Sequence, residues 1–269
     1  MTSLVGVTSR SDTGAVRHVN EDSMLAQDPV FVVADGMGGH ARGDLASRTA
    51  VESLARTLVS GTVPTPDEVI AAVDEANAAV RALSSADESG AAVAGTTLTG
   101  VVRVRVPERA SEEWMVVNVG DSRVYEWDGR DLRQLTVDHS AVQELVDAGL
   151  ITAEQAAVHP ERNVITRALG AEDFVDTDSS FVPVAGRQVF LVCSDGLTRE
   201  LSDERIAAIL AEHPDDPAAT LVEAAVEAGG HDNVTVIVVE SETGDDARTP
   251  ADTLDRPTGR AFDDTQPRE

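Results

Sequence analysis

Phe31-Val32-Val33-Ala34-Asp35-Gly36-Met37-Gly38-Gly39-His40 is an apolar run that stops at a carboxylate and then breaks into glycines. The run reads as a buried strand, and Asp35-Gly36 as its end. The same pattern recurs along the chain. Met115-Val116-Val117-Asn118-Val119 leads into Gly120-Asp121-Ser122-Arg123, and Val189-Phe190-Leu191-Val192-Cys193 leads into Ser194-Asp195-Gly196. His231-Asp232-Asn233 stands just before an apolar run at 234–240, and Glu21-Asp22 lies upstream of the first run. Carboxylates delivered by buried strand ends, with glycine beside them, can converge on one point. Unpaired carboxylates there repel one another, and hard divalent cations such as Mg²⁺ or Mn²⁺, which favour oxygen ligands, neutralise them.

The residue types suit such a centre. Asp35 has two oxygens with which to bridge two ions, and Gly36 lets a backbone carbonyl approach as a further ligand. Asp195 and Asp232 complete the shell, while Glu21 and Asp22 bind directly or through ordered water. Enzymes that displace groups at phosphorus hold two ions roughly 3.5–4 Å apart and use them to activate a water. No Ser-His-Asp or Cys-His arrangement is evident in the sequence, and this chemistry needs none. Asp128-Gly129, by contrast, reads as a hairpin turn.

Composition narrows the classes. The chain has 269 residues, 42% of them hydrophobic, which suits a globular body with a real core. Aromatics are only 3%, so Val, Ala and Leu must fill that core. Every cation is Arg, and the net charge is −27. Such a charge argues against nucleic acid and anionic membranes as partners, because both are bound by cationic faces. The single cysteine, Cys193, lies inside an apolar run and reads as a buried thiol in a reducing compartment. With no leader-like segment and no apolar run approaching the roughly 18–20 residues that span a bilayer, a soluble, cytoplasmic monomer is expected.

The spacing predicts strands at 4–8 and 30–34, then a helix over 43–60 on Leu45, Thr49, Leu54 and Leu58. Thr65-Pro66-Asp67-Glu68 predicts a capped helix start, continued by Val69, Ile70, Val73, Asn77, Val80 and Leu83. A loop is expected over 84–94. Short strands follow at 101–106, 115–119 and 124–127. Residues 140–165 read as an insertion with two short helical pieces, 141–148 and 153–158, either mobile on the body or packed as a helical hairpin. A strand at 188–193, helices near 203–212 and 217–228 with Gly229-Gly230 as a C-cap, and a strand at 234–240 complete a domain spanning 1–240. Residues 241–269 carry eight acids, four arginines and three prolines, and read as an acidic disordered tail. Helices flanking short strands without regular alternation indicate an α+β class.

Over residues 4–240 the chain resembles the bacterial metal-dependent serine/threonine protein phosphatases of type 2C. The matching stretches are Arg17 through Asp22, Asp35 through His40, Gly95-Thr96-Thr97, Asn118 through Arg123, Asp138-His139-Ser140, Thr166 through Gly170, Ser194-Asp195-Gly196 and Asp232-Asn233. The resemblance implies a four-layer αββα sandwich with two central antiparallel sheets and the metal site at one end. It implies Asp35 as the bridging aspartate with Gly36 supplying a carbonyl, Asp195 and Asp232 on one ion, and Asp22 with Glu21 serving the other. It further implies Asp121, with Asp195, as ligand of a third, weaker ion. Arg17 corresponds to the arginine that binds substrate phosphate, and its fork of donors suits that role. His40 is the implied general acid for the leaving alkoxide. Segment 140–165 corresponds to a variable flap, in which His159 is a surface histidine by default, and His139 is expected to orient a loop.

The implied activity is hydrolysis of phosphoserine and phosphothreonine in proteins phosphorylated by serine/threonine kinases, by a water activated between two Mn²⁺ or Mg²⁺ ions. Two other readings compete. One is a catalytically inactive phosphoprotein-binding regulator, which loss of a bridging or terminal carboxylate would mark, yet Asp22, Asp35, Asp195 and Asp232 are all present. The other is a phosphatase of small phosphoesters.

Overall fold

The computed structural model describes residues 2–38, 42–59, 61–85, 94–109 and 111–243. The strands in chain order are β1 (Thr2–Asp12), β2 (Asp22–Gln27), β3 (Val30–Met37), β4 (Gly95–Thr96), β5 (Leu98–Val106), β6 (Ser111–Val119), β7 (Arg123–Trp127), β8 (Leu132–Gln134), β9 (Asp178–Pro183), β10 (Arg187–Cys193) and β11 (Val234–Thr243). The α-helices are α1 (Gly43–Leu58), α2 (Pro66–Ser85), α3 (Ala141–Asp147), α4 (Ala153–Ala157), α5 (Asp195–Thr198), α6 (Asp203–Glu212) and α7 (Pro217–Ala228). One sheet has the order β1-β11-β10-β7-β8, the other β2-β3-β5-β6-β9 with β4 added beside β3. All pairings are antiparallel.

Alternation along the inner strands explains why four layers form. In β3, Val30, Val32 and Ala34 face α1 and α2, while Phe31 and Val33 face the other sheet. In β10, Val189, Leu191 and Cys193 face α5, α6 and α7, and Phe190 and Val192 turn inward to meet Phe31 and Val33. β11 repeats this with Val234, Val236 and Val238 against Ile237 and Val239. Side chains of a strand alternate faces with a period of two, so an unbroken apolar run is what a strand buried on both sides requires. Three aromatics, Phe31, Trp114 and Phe190, meet at the joint between the sheets. Trp114 is fully buried there, its ring centroid 6.1 Å from Phe31 and 5.4 Å from Phe190.

The helices follow their start motifs. Thr65 and Glu68 form the reciprocal cap before Pro66: Glu68 accepts from the Thr65 N–H at 2.7 Å, and the Glu68 N–H donates to Thr65 Oγ1 at 3.4 Å. Val69, Val73, Asn77 and Val80 form the buried stripe of α2 as expected, and Asn77 Oδ1 accepts from the Gly170 N–H at 2.7 Å. On α1 Leu54 and Leu58 are buried as expected, and Ala46, Ala50 and Val51 complete the buried stripe, while Leu45 is exposed.

Residues 140–165 form the helical hairpin. Ser140 caps α3, Thr152 and Gln155 form a capping box on α4, and Ser140 pairs with Ile165 to close the neck. The last strand runs past the expected end at residue 240: Ser241, Glu242 and Thr243 still pair with Leu4, Ser3 and Thr2. The domain therefore extends to Thr243, and the rest of the expected tail lies outside the described residues, as does most of the 84–94 loop. No helix among the described residues is long and apolar enough to cross a membrane.

Candidate active site

The two sheets end together at one edge of the sandwich, and the acidic motifs meet there. Asp22 and Asp35 are direct partners across β2 and β3. Gly36 fixes the approach of α1, because a Cβ at that position would overlap the Gly43 carbonyl and lie 2.5 Å from the Glu21 carbonyl oxygen. The Asp35 backbone is held on both sides, its N–H donating to Thr97 Oγ1 at 2.9 Å and its carbonyl accepting from the Thr97 N–H at 2.9 Å. From the other sheet, β10 delivers Asp195 onto the short α5. Asn233, at the entrance to β11, ties the far parts of the chain together. Its Oδ1 accepts from the Glu21 N–H at 2.8 Å, and its Nδ2 donates to the carbonyls of Thr13 at 2.9 Å and Val19 at 3.0 Å.

Asp121 follows a strained turn. Gly120 has φ +112°, a region that only glycine enters readily. His139 grips that turn from both sides: Nδ1 accepts from the Gly120 N–H at 3.0 Å, and the His139 N–H donates to the Gly120 carbonyl at 2.9 Å. Its Nε2 lies 3.1 Å from Asp178 Oδ2. The loop-orienting role expected of His139 matches this geometry. His159 is occupied in its own turn, where Nδ1 accepts from the Glu161 N–H.

These groups line a cavity of about 350 Å³ whose walls include Arg17, Glu21, Asp35, Gly36, Asp121, Asp195 and Asp232. Of the expected site residues, Asp22 does not reach the cavity surface. Its Oδ1 is closed off from solvent, and its Oδ2 accepts from Ser194 Oγ at 2.8 Å. His40 lies outside the described residues. Arg199 is on the wall and was not anticipated, although it stands one helical turn after Asp195, a spacing that puts two side chains on the same face. Its guanidinium contacts Asp195, lies 3.0 Å from Asp232 Oδ2 and reaches within 4.0 Å of Asp121 Oδ2. Arg17 Nη2 donates to the same Asp232 oxygen at 2.9 Å.

Crowding of carboxylates leaves a clear electrostatic mark. Burial pushes Asp22 up to about 6, against an ordinary 3.8, and burial likewise pushes Asp121 to about 6 despite the opposing pull of Arg199. Asp35 and Asp195 are raised well above the usual range, first by burial and then by neighbouring aspartates. Glu21 is raised by burial, with Arg17 opposing. One oxygen each of Asp22 and Asp195 is buried without a hydrogen-bond partner among the described residues. Buried, mutually repelling carboxylate oxygens with unused lone pairs are the donor set that hard divalent cations take. Among the described residues, no three acidic, histidine or cysteine side chains are closed around one point, and arginines stand between the carboxylates instead.

A carboxylate with a raised folded pKa takes up a proton on folding at any pH between its unfolded and folded values, so its contribution to stability is lost as pH rises through that window. For Asp22 and Asp121 the window runs from 3.8 to about 6. Metal-free protein is therefore expected to melt at a higher temperature at about pH 5 than at about pH 7. Mn²⁺ should reverse that order, because protons and metal compete for the same oxygens. Melting curves at both pH values, with chelator and with Mn²⁺, check this.

Comparison with known proteins agrees with this geometry. Residues 15–225 match the sequence profile of the family described as protein phosphatase 2C. The serine/threonine phosphatase Stp of Listeria monocytogenes is 37% identical over 245 residues, which cover 87% of this chain and 94% of that protein. The serine/threonine protein phosphatase PstP of Mycobacterium tuberculosis is 38% identical over 245 residues. These cover 89% of this chain but 46% of PstP, so the chain spans about half of that protein's length. The crystal structure of the PstP catalytic domain with 2 manganese ions superposes with a TM-score of 0.76 at 36% identity, covering 90% of this chain and all of that one.

Proposed function

The chain belongs to the protein phosphatase 2C family, and from that premise we infer that it is a metal-dependent protein serine/threonine phosphatase, hydrolysing phosphoserine and phosphothreonine in proteins. The observation that carries the reading is the convergence of Glu21, Asp35, Asp121, Asp195 and Asp232, from both sheets, on one cavity with Arg17 in its wall. Asp35, the Gly36 carbonyl, Asp195 and Asp232 are the proposed ligands of two core ions, with Glu21 and the more deeply buried Asp22 acting through water. Asp121 with Asp195 is the proposed pair for a third, weaker ion. When bound, such ions lower the pKa of a water and neutralise charge on the phosphoryl oxygens.

The chain's own groups do the rest. The side chain of Arg17 is about half exposed, and its planar fork can take two phosphate oxygens while Asp232 keeps it oriented. Thr97 and the Gly36–Gly43 contact hold the Asp35 backbone, so the carboxylate is carried on a fixed segment. His139 does the same for the Asp121 turn. We further propose that serine/threonine kinases supply the substrates, since they make the ester this site consumes. One chain suffices for activity, since every candidate group comes from it, and the unpaired, buried Cys193 suits the cytoplasm.

Turnover of a phosphothreonine peptide with Mn²⁺ or Mg²⁺, measured beside a small aryl phosphate and repeated after exhaustive chelation, tests the reading. Peptide hydrolysis should be fast with metal and lost without it. Undiminished hydrolysis after chelation would refute a metal-dependent reaction, and a strong preference for the small ester would move the substrate class away from proteins.

A further inference from the structure

Arg199 is a cation placed among the proposed metal ligands by the fold itself. The Arg199 N–H donates to the Asp195 carbonyl at 2.9 Å, closing the turn of α5, and this aims the guanidinium back along the turn at the Asp195 carboxylate. One Nη reaches Asp232 Oδ2 at 3.0 Å, and the other touches Asp195 and stands 4.0 Å from Asp121. The three carboxylates come from three separate parts of the chain, so the Arg199 guanidinium offsets part of their mutual repulsion, with Arg17 sharing Asp232. The side chain is about one-third exposed and enters from the cavity, so it can withdraw into solvent without disturbing the core.

We propose that Arg199 is an internal counterion that competes with a divalent ion for the Asp121–Asp195–Asp232 face. It holds the carboxylates together when metal is scarce and weakens the hold on the least tightly bound ion. This rests on the reading that these carboxylates bind metal. A cation that must be displaced lowers apparent affinity by the fraction of time it occupies the site. For an ion pair partly open to water the expected effect is about three- to fivefold.

The test is calorimetric titration of chelator-stripped protein with Mn²⁺, together with melting curves in chelator, for the wild type, Arg199→Gln and Arg199→Lys. Arg199→Gln should bind its weakest ion about three- to fivefold more tightly than wild type and melt at a lower temperature in chelator. Arg199→Lys, a point charge in place of a fork, should fall between the two, about twofold tighter than wild type. Should Arg199→Gln fail to fold without metal, the lysine variant carries the comparison. Equal Mn²⁺ affinity and stoichiometry in the variants and wild type, or weaker binding in the variants, would overturn the competition. Absence of Mn²⁺ binding in all three proteins would instead overturn the metal-site reading beneath it.

Discussion

Asp35→Asn is expected to lower turnover of a phosphothreonine peptide by on the order of 10²- to 10³-fold, and to raise the melting temperature of the protein in chelator. The two effects have one origin. Asp35 is pressed by Asp22, Asp195, Asp121 and Asp232 in a buried setting that disfavours its charge. Asparagine keeps the shape and the backbone contacts with Thr97 but removes the charge. Without metal that relieves repulsion, so the fold gains. With metal it would remove a proposed metal ligand, so activity and the stabilisation by Mn²⁺ should be lost. A mutant with wild-type turnover and a wild-type thermal response to Mn²⁺ would remove Asp35 from the site. A mutant that simply melts lower with and without metal would make it structural.

The largest expected loss of stability is at Trp114. Truncating a fully buried tryptophan costs about 3–5 kcal/mol through lost contacts and the cavity left behind. Part of this is returned, because the indole N–H has no acceptor among the described residues, and an unsatisfied buried donor costs about 1–3 kcal/mol. Packing wins, leaving a net loss of about 2 kcal/mol for Trp114→Ala. In a domain of this size that lowers the melting temperature by about 4–8 °C. Trp114→Phe keeps the contacts with Phe31 and Phe190 and discards the orphan donor, so it should cost far less. Because Phe31 and Phe190 sit on the strands that deliver Asp35 and Asp195, the alanine variant should also bind Mn²⁺ more weakly. Melting temperatures within a degree or two of wild type would show that the joint between the sheets does not depend on this ring.

Much of this architecture could be read from apolar runs, and the exceptions share physical causes. β3, β6, β10 and β11 were legible because strands buried on both faces need unbroken hydrophobic sequence. β2 (DSMLAQ) and β9 (DSSFVP) were not expected. Both lie at the edges of their sheet and are less deeply buried, so neither carries a run or a clean alternation. In α1, a period through Leu45 competed with one through Ala46 and Ala50, and the second is the buried one. Asp35, Asp121 and Asp195 were legible because each follows a run, and Asp232 because it stands just before one. Arg199 was not, because nothing in a linear motif says that a cation will fold back among acids. Only the four-residue α5, too short for periodicity to reveal, makes Asp195 and Arg199 neighbours.

The first and last strands of the domain are partners. β1 pairs with β11 over its whole length, and Asn233 clasps Thr13, Val19 and Glu21 at the mouth of the cavity. During synthesis on a ribosome, β1 must therefore wait for nearly the entire domain to be made. At about 5–20 residues per second that wait is roughly 10–50 s. The helices and β3 can condense during that interval, but Asp232 and the clasp that seats Glu21 arrive last. A nascent chain thus carries an unfinished sheet edge and no working catalyst until its final strand is added, so hydrolytic power is withheld from every incomplete copy.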